Sequence, residues 1–266
     1  MTIEDRLRKK LEQREKSYEA KQLMKEKRSE EYEALEEVFD KPTLMTIYEL
    51  MNKGWIDEIY GAVKAGKESK LYWGRHPDGT ELAIKIYLTV TAEFRKGMLT
   101  YIAGDPRFER FRKNPRSIIY LWARKEYRNL TEAYQAKVRV PKPYTVKNNV
   151  LLMEFIGKDG VSAPLLREVR LSNPEQIYKQ LLLYIERLYV KAKLVHGDLS
   201  EYNIMIWDDE PVIFDVSQAV SIEHPNADQF LLRDIERINY YFKRLGVDIH
   251  PSEEVFRRIK DAAAIC

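Results

Sequence analysis

Two short stretches decide how this sequence folds: His196-Gly197-Asp198-Leu199-Ser200-Glu201-Tyr202-Asn203 and, soon after it, Val212-Ile213-Phe214-Asp215. Together they bring two carboxylates and one amide into a short interval of the chain. Transfer of a phosphoryl group needs a side chain that orients the attacking hydroxyl and oxygen ligands for the magnesium that neutralises the phosphates. The stretches therefore predict a phosphoryl-transfer site that contains Asp198, Asn203 and Asp215.

The spacing of these residues supports that interpretation. Asn203 lies five positions after Asp198, as the metal-binding Asn follows the base in a protein-kinase catalytic loop. The apolar runs Ile204–Trp207 and Val212–Phe214 indicate two strands joined by a polar turn, which places Asp215 at a strand end. The alternative is that Asp198 and Asn203 only cap turns, a common role for these residue types. Three matching positions in matching context favour the catalytic interpretation.

Composition limits the class of protein. The chain has 266 residues, 44% of them hydrophobic, and a formal net charge of +3. It can form one two-lobed domain, and its charge balance gives no strong reason to expect nucleic acid or membrane as a partner. Cys266 is the one cysteine, which excludes an internal disulfide framework and a cysteine metal cage. No run approaches the roughly 20 apolar residues that span a bilayer, so we expect a soluble, cytoplasmic protein with no membrane partner.

The periodicity of the sequence predicts an α+β fold with two lobes. Residues 1–42 are rich in Glu, Lys and Arg, which predicts a charged helical extension without a core of its own. Residues 43–157 predict an antiparallel-sheet N-lobe with one long helix and a basic flexible insert at about 89–116. Residues 158–266 follow a helical period and predict a shortened, mainly helical C-lobe that carries the catalytic loop.

Lys85 is the candidate cation of the nucleotide site. It interrupts the apolar run Ala83–Ile86, where a kinase places the lysine that holds the α- and β-phosphates. Its expected partner is a helix glutamate, for which Glu126 is the choice and Glu132 the competitor. The alternative is a lysine on the solvent face of a strand, and only the downstream motif favours the catalytic interpretation.

A glycine turn supplies a candidate for phosphate contact. Gly61–Lys67 matches the spacing of a P-loop, but Glu68 replaces the Ser or Thr that such a loop offers to magnesium. A strand pattern follows, whereas a P-loop opens a helix. The remaining interpretation is a turn between two strands, in which backbone amides or Ser69 contact phosphate. The alternative is an ordinary hairpin.

The segment between the predicted lobes is the candidate adenine site. Glu154 and Ile156 are expected to read adenine through backbone carbonyl and amide groups, with Met153 behind them. The alternative is an ordinary linker. Here too, the functional interpretation depends on the catalytic motif downstream.

With these residues in order, the sequence resembles the RIO kinases, an atypical protein-kinase family, and specifically their first, RIO kinase 1-like branch. The resemblance covers most of the chain. It is carried by Gly66-Lys67-Glu68-Ser69, Ala83-Ile84-Lys85-Ile86-Tyr87, the stretch from His196 to Asn203, Asp215-Val216-Ser217-Gln218-Ala219-Val220 and His224-Pro225-Asn226-Ala227. The turn departs from the usual Glu-Ala-Asn-Val-Tyr of this branch and reads Glu68-Ser69-Lys70-Leu71-Tyr72.

The resemblance implies a protein-kinase-like fold with ATP between the lobes. It implies Asp198 as catalytic base and Asn203 and Asp215 as ligands of Mg²⁺, or of Mn²⁺ in its place. It further implies that Asp215 accepts phosphate as an aspartyl intermediate, which gives ATPase activity. The family acts in maturation of the small ribosomal subunit, which implies pre-ribosomal RNA or protein as partners and a protein, or the chain itself, as phosphoacceptor.

The basic insert is the candidate RNA contact. From residue 93 to residue 128 there are ten Lys or Arg and four acidic residues, and Arg107, Phe108, Arg110, Phe111 and Arg112 interleave cations with aromatic rings. We hypothesise that this segment contacts ribosomal RNA phosphates, so that affinity falls with salt. The alternative is a solvated loop, the usual role of a charge run.

Two other functions compete with a RIO kinase. A small-molecule phosphotransferase of the aminoglycoside-kinase type also uses His-Gly-Asp with a downstream Asn and Asp, although it usually has a larger helical lobe. A nucleotide-binding scaffold, whose ATP state controls ribosome association, is the alternative from another class. Phosphate transfer to a soluble metabolite would favour the first, and ATP turnover measured with and without pre-ribosomes tests the second.

Overall fold

The structure is a computed structural model that describes residues 39–66, 68–88, 92–108 and 114–265. Residues 1–38 of the predicted extension over 1–42 lie outside the described residues, as does Lys67. The described chain forms a sheet-containing lobe followed by a mainly helical lobe. The lobe boundaries 43–157 and 158–266 stay predictions.

A five-stranded antiparallel sheet forms the first lobe. Its strands are β1 (Glu58–Ala65), β2 (Ser69–Arg75), β3 (Glu81–Tyr87), β4 (Pro143–Lys147) and β5 (Val150–Glu154), in the spatial order β1-β2-β3-β5-β4. In this register Lys85 lies opposite Leu71 of β2 and Leu151 of β5. Lys85 is therefore on the central strand of the sheet.

Helix α1 (Lys41–Asn52) covers one face of the sheet. Its N-cap is Asp40, whose carboxylate accepts a hydrogen bond from Thr43 N at 3.1 Å. Ile47 is fully buried in one apolar cluster with Ile84 of β3. Because side chains alternate along a strand, Lys85 projects from the opposite face, toward the cleft between the lobes.

Two helices follow β3 before the chain returns to the sheet. They are α2 (Ala92–Ile102) and α3 (Pro115–Gln135), and a 3-10 turn at Pro106–Phe108 lies between them. The interval expected to be a flexible insert thus contains a helix. Its glycines and prolines suggested a loop, but Met98 and Ile102, one turn apart, are buried in a cluster with Trp122 of α3.

The second lobe surrounds the catalytic loop with helices and short strands. Its elements are β6 (Gly157–Lys158), β7 (Val161–Ser162), α4 (Pro174–Val190), β8 (Leu194–Val195), β9 (Ile204–Trp207), β10 (Glu210–Ile213), β11 (Val220–Ser221), α5 (Ala227–Arg244) and α6 (Ser252–Ile265). Leu181 of α4, Ile235 of α5 and Ile259 of α6 are buried in one core. The pairs β8–β11 and β9–β10 are antiparallel and fix the two ends of the catalytic loop.

No helix among the described residues is both long enough and apolar enough to cross a bilayer.

Candidate active site

The catalytic loop runs from β8 to β9. Its backbone conformation depends on a left-handed glycine, Gly197, and on hydrogen bonds of the His196 ring. Gly197 has φ +78°, and a Cβ there would lie 3.3 Å from Gln218 O, so glycine suits both the conformation and the space. His196 Nδ1 accepts from Asp198 N at 3.3 Å, which leaves the hydrogen on Nε2, 3.3 Å from Phe214 O. Burial lowers the pKa of His196, so the ring is a neutral structural link between the two motifs.

Asp234 of α5 anchors the catalytic loop through hydrogen bonds to the loop backbone. Its carboxylate accepts hydrogen bonds from Gly197 N at 2.8 Å and Leu199 N at 2.9 Å. Burial raises its pKa to about 7 against the opposing effect of those two N–H donors. The sequence reasoning missed this residue. The available signal was a carboxylate within the apolar stripe of a helix, between Phe230 and Ile238.

Asp198 and Asn203 lie together in the loop. Asn203 Nδ2 donates to the backbone O of Asp198 at 2.8 Å and to its carboxylate Oδ2 at 3.3 Å. The other carboxylate oxygen of Asp198 accepts from Arg237 of α5 at 2.7 Å. The predicted base and the predicted amide ligand are therefore neighbours, and Arg237 is a second contact that the sequence did not reveal.

Asp215 is joined to this loop through the backbone. Phe214 N donates to Asn203 O at 3.0 Å, which fixes the distance between the two motifs. Asp215 has φ 58° and ψ 53°, the left-handed region, and begins a 3-10 turn over Val216–Gln218. Burial would raise its pKa, but Lys85 and the Ser217 hydroxyl, 3.0 Å away, lower it overall. The carboxylate is thus held in its ionised form.

Lys85 bridges two carboxylates across the cleft. Its Nζ lies 2.8 Å from Glu126 Oε1 and 3.0 Å from Asp215 Oδ1. Burial alone would lower the pKa of Lys85, but the charges of Asp215 and Glu126 overcome it and raise the pKa. Glu126 of α3 is therefore the helix carboxylate that contacts Lys85, whereas Glu132 pairs with Arg107 and Arg128.

A cavity of about 370 Å³ opens over these groups. Five predicted site residues line it: Ser69, Lys85, Glu126, Met153 and Asp215. Ser69 is the first residue of β2, which pairs antiparallel with β1, so the glycine segment leads into a strand and not into the helix that a P-loop opens. A second cavity of about 650 Å³ adjoins Asp198 and Asn203 and is lined also by Tyr202, Arg237 and Tyr240. The nucleotide-sized cavity and the cavity at the base thus have separate linings.

Glu154 and Ile156 do not line the first cavity. The Glu154 carboxylate is paired with Arg139 at 2.7 Å, and the backbone O of Ile156 accepts from Ala163 N at 2.9 Å. Glu154 N donates to Lys142 O at 2.8 Å. The reading of adenine by the backbone of these two residues stays a prediction.

The donor set fits magnesium. The described residues contain no group of three or more His, Cys, Asp or Glu side chains that could hold a metal ion by themselves. Mg²⁺ is usually held by one or two carboxylates, by waters and by substrate phosphates rather than by an all-protein cage. Asp215 offers an ionised carboxylate beside the cavity, and Asn203, whose NH₂ is directed at Asp198, retains an amide oxygen for a ligand.

Part of the predicted RNA-binding insert is held inside the protein. The Arg107 side chain, only 11% exposed, forms ion pairs with Asp105 at 2.7 Å and Glu132 at 2.8 Å. Phe108 is buried. These two residues are not available to an RNA backbone, and Arg110, Arg112 and Lys113 lie outside the described residues.

This fold and this site define a protein-kinase-like phosphotransferase. A family model described as the RIO domain matches residues 70–255. The RIO-type serine/threonine-protein kinase Rio1 of Haloferax volcanii is 42% identical over 225 residues, which cover 85% of this chain and 77% of that protein. Rio1 of Methanocaldococcus jannaschii is 40% identical over 237 residues, which cover 89% and 81%. The chain belongs to the RIO family of atypical serine/threonine-protein kinases, and the predicted first branch is confirmed.

More distant likenesses agree with the fold. The serine/threonine-protein kinase RIO1 of Homo sapiens is 38% identical over 231 residues, but this chain spans only 40% of its length. The crystal structure of the Rio2 kinase-ADP/Mg²⁺-phosphoaspartate complex from Chaetomium thermophilum aligns with a TM-score of 0.61 at 21% identity, over 84% of this chain and 70% of that one. The predicted α+β, two-lobed kinase fold is confirmed. Membership of the RIO family favours a RIO kinase over the aminoglycoside-kinase alternative.

Proposed function

We propose that this chain is an ATP- and Mg²⁺-dependent kinase and ATPase that acts in maturation of the small ribosomal subunit. The observation that carries the catalytic part is the position of Lys85, which lies between Glu126 and Asp215 at the wall of a nucleotide-sized cavity. Transfer of a γ-phosphoryl group requires such an ammonium for the phosphates and oxygen ligands for the metal ion beside it.

Each of these residues has a defined task in the proposal. Lys85, fixed by Glu126, binds phosphate oxygens of ATP, and Ser69 contacts phosphate from the start of β2. Asn203 and Asp215 hold Mg²⁺, which when bound neutralises charge on the phosphates. The phosphoacceptor is a serine or threonine hydroxyl of a protein or of the chain itself. Asp198 accepts the proton of this hydroxyl while the hydroxyl oxygen bonds to the γ-phosphorus and ADP departs. Mn²⁺ satisfies the same oxygen donors.

ATPase activity follows if Asp215 is itself the nucleophile. A carboxylate oxygen of Asp215 then bonds to the γ-phosphorus, the bond to ADP breaks, and water later hydrolyses the acyl phosphate to restore the carboxylate. Support comes from the family motif at Asp215 and from the phosphoaspartate named for the Chaetomium thermophilum Rio2 complex. Asp215 is ionised and lies at the cavity wall, as such a nucleophile must be.

The ribosomal part of the proposal rests on family membership and on the basic segment after β3. The family acts in small-subunit maturation, and the described cations Arg116 and Arg124 are exposed on α3. A pre-ribosomal RNA or protein partner in the cytoplasm is the proposal that follows. Charge reversal at residues 110, 112 and 113 tests it, since pre-ribosome binding that remains unchanged would contradict RNA contact by the insert.

The test of the catalytic proposal is Asp198→Ala, with Asp208→Asn as the control. Asp208 is an exposed carboxylate in the β9–β10 turn and lies outside both cavities. We expect Asp198→Ala to lose phosphotransfer to protein by at least about 100-fold with ADP affinity unchanged, because the base binds no nucleotide. Normal transfer by this variant refutes the assignment. ATP turnover that depends on pre-ribosomes, without transfer to any protein, would instead support the ATP-switched scaffold.

A further inference from the structure

Two buried polar side chains of α3 hold the backbone that follows Asp215. Lys125 Nζ donates to Ser217 O at 2.9 Å and also to Ala219 O. Asn129, one helical turn further on, donates through Nδ2 to Val216 O at 2.8 Å and to Ala219 O at 3.0 Å. Both side chains are fully buried. They therefore bind three carbonyls of one four-residue segment, and the reaction described above uses neither of them.

The segment they hold is conformationally demanding. Asp215, which precedes it, has φ 58° and ψ 53°, a left-handed conformation that non-glycine residues adopt only where the surroundings enforce it. The 3-10 turn Val216–Gln218 begins directly after it. Hydrogen bonds to the carbonyls of Val216, Ser217 and Ala219 fix the direction in which the chain leaves Asp215, and so the direction of its carboxylate.

A buried lysine is retained here although burial is unfavourable for an ammonium. Transfer of an ammonium out of water is costly unless hydrogen-bond acceptors replace the water, and the two carbonyls do so. Burial, with the positive charge of Arg107, lowers the pKa of Lys125 to about 7. Arg107 in turn donates to Asn129 Oδ1 at 3.0 Å, which orients the amide so that its NH₂ faces the carbonyls.

We propose that Lys125 and Asn129 are positioning residues that set the Mg²⁺ affinity of the site by fixing the backbone after Asp215. The inference rests on the proposed function, in which Asp215 is a metal ligand. Glu126, which fixes Lys85, is the neighbour of Lys125 on the same helix. Helix α3 thereby positions Lys85 through Glu126, and Asp215 through Lys125 and Asn129.

The experiment measures ADP affinity by calorimetry with Mg²⁺ and with EDTA. The variants are Lys125→Met, which keeps the apolar stem but loses the donors, and Asn129→Leu, which keeps the approximate shape. Leu130→Ala is the matched control, since Leu130 is equally buried on α3 and contacts the apolar core. The ratio of the two affinities isolates the coupling between metal and nucleotide from any general loss of stability.

We expect the Mg²⁺-dependent gain in ADP affinity to fall by at least about fivefold in Lys125→Met and Asn129→Leu. ADP affinity in EDTA should stay within about twofold of the wild type. Leu130→Ala should lower the melting temperature yet keep the gain. If Lys125→Met does not fold, Lys125→Gln replaces it, since its amide can still donate to one carbonyl, and a partial loss of the gain is expected.

Two outcomes overturn the inference in different ways. A full Mg²⁺-dependent gain in the folded Lys125 and Asn129 variants shows that these residues only stabilise the fold, and leaves the proposed function intact. Absence of any gain in the wild type shows that the site does not couple Mg²⁺ to ADP, and removes the proposed metal role of Asp215 together with this inference.

Discussion

Lys85 Nζ lies 2.8 Å from Glu126 Oε1, although 41 residues separate the two in the chain. The contact joins the central strand β3 to helix α3, and both side chains are almost completely buried. Removing one member of a buried ion pair leaves the other charge without a partner. The pair is therefore a sensitive point for both ATP binding and turnover.

Lys85→Ala should weaken both functions of the site. It removes the cation that we assign to phosphate binding, so we expect ATP affinity to fall by at least about tenfold and turnover by at least about 100-fold. Equilibrium binding and steady-state rates measure the two effects separately. Lys179→Ala, which removes an exposed lysine of α4, is the control. Normal turnover in Lys85→Ala would contradict the assignment of the nucleotide site.

The pH dependence of catalysis should reflect Glu126. Burial raises the pKa of Glu126 to about 7, an effect that the charge of Lys85 only partly offsets. Below that pH the carboxyl is protonated and no longer neutralises Lys85, whereas Asp215, with its lowered pKa, remains ionised. We expect kcat/KM for ATP to decline as the pH falls through about 7.

Glu126→Gln tests this origin of the acid decline. The amide cannot lose or gain a proton in this range, so the variant should be less active at neutral pH but should lack the decline assigned to Glu126. The measurement is kcat/KM between about pH 5.5 and pH 8.5 for both proteins. An unchanged acid decline in Glu126→Gln would assign it to another group, such as Asp234.

The sequence predicted most of the fold because its signals are local. The apolar alternation of β3, the polar turn before Val212 and the spacing from Asp198 to Asn203 are each complete within about ten residues. What it missed depends on contacts between distant positions. Asp234 bonds to residues 35 and 37 positions away, and Lys125 bonds to carbonyls more than 90 positions away. The periodicity of the sequence gives no signal of contacts between such distant residues.

The insert shows how packing modifies what local signals indicate, and RNA contact by its cations at 110, 112 and 113 stays a prediction. Its glycines and the Asp105-Pro106 step are typical of a loop, and its cations suggested an exposed RNA-binding surface. In the structure Asp105 neutralises Arg107, and Phe108 is buried. Charge density along a sequence therefore overstates surface charge where an acidic partner lies two residues away.

Asp234→Asn should impair catalysis more than nucleotide binding. The carboxylate accepts two backbone N–H groups of the catalytic loop, and an amide offers one oxygen, so one buried donor loses its partner. We expect a loss of about 1–3 kcal/mol in the free energy of unfolding and a clear fall in kcat with ADP affinity retained. Urea unfolding and steady-state kinetics measure these effects. Full kcat in this variant would show that the loop keeps its geometry without Asp234.

Lys125→Met should change how stability depends on pH. Burial and the charge of Arg107 lower the pKa of Lys125 from 10.5 to about 7 in the folded protein, whereas the unfolded chain holds that proton up to the ordinary value. Between these two pH values the unfolded state binds more protons, so the free energy of unfolding rises with pH in the wild type. The rise from this one group approaches about 1.4 kcal/mol per pH unit, and Lys125→Met lacks it. The stability difference between the two proteins should therefore grow in favour of the wild type from about pH 7 to pH 9 in urea unfolding. A stability difference that stays constant over this range would mean that Lys125 keeps its proton in the folded protein at every pH tested.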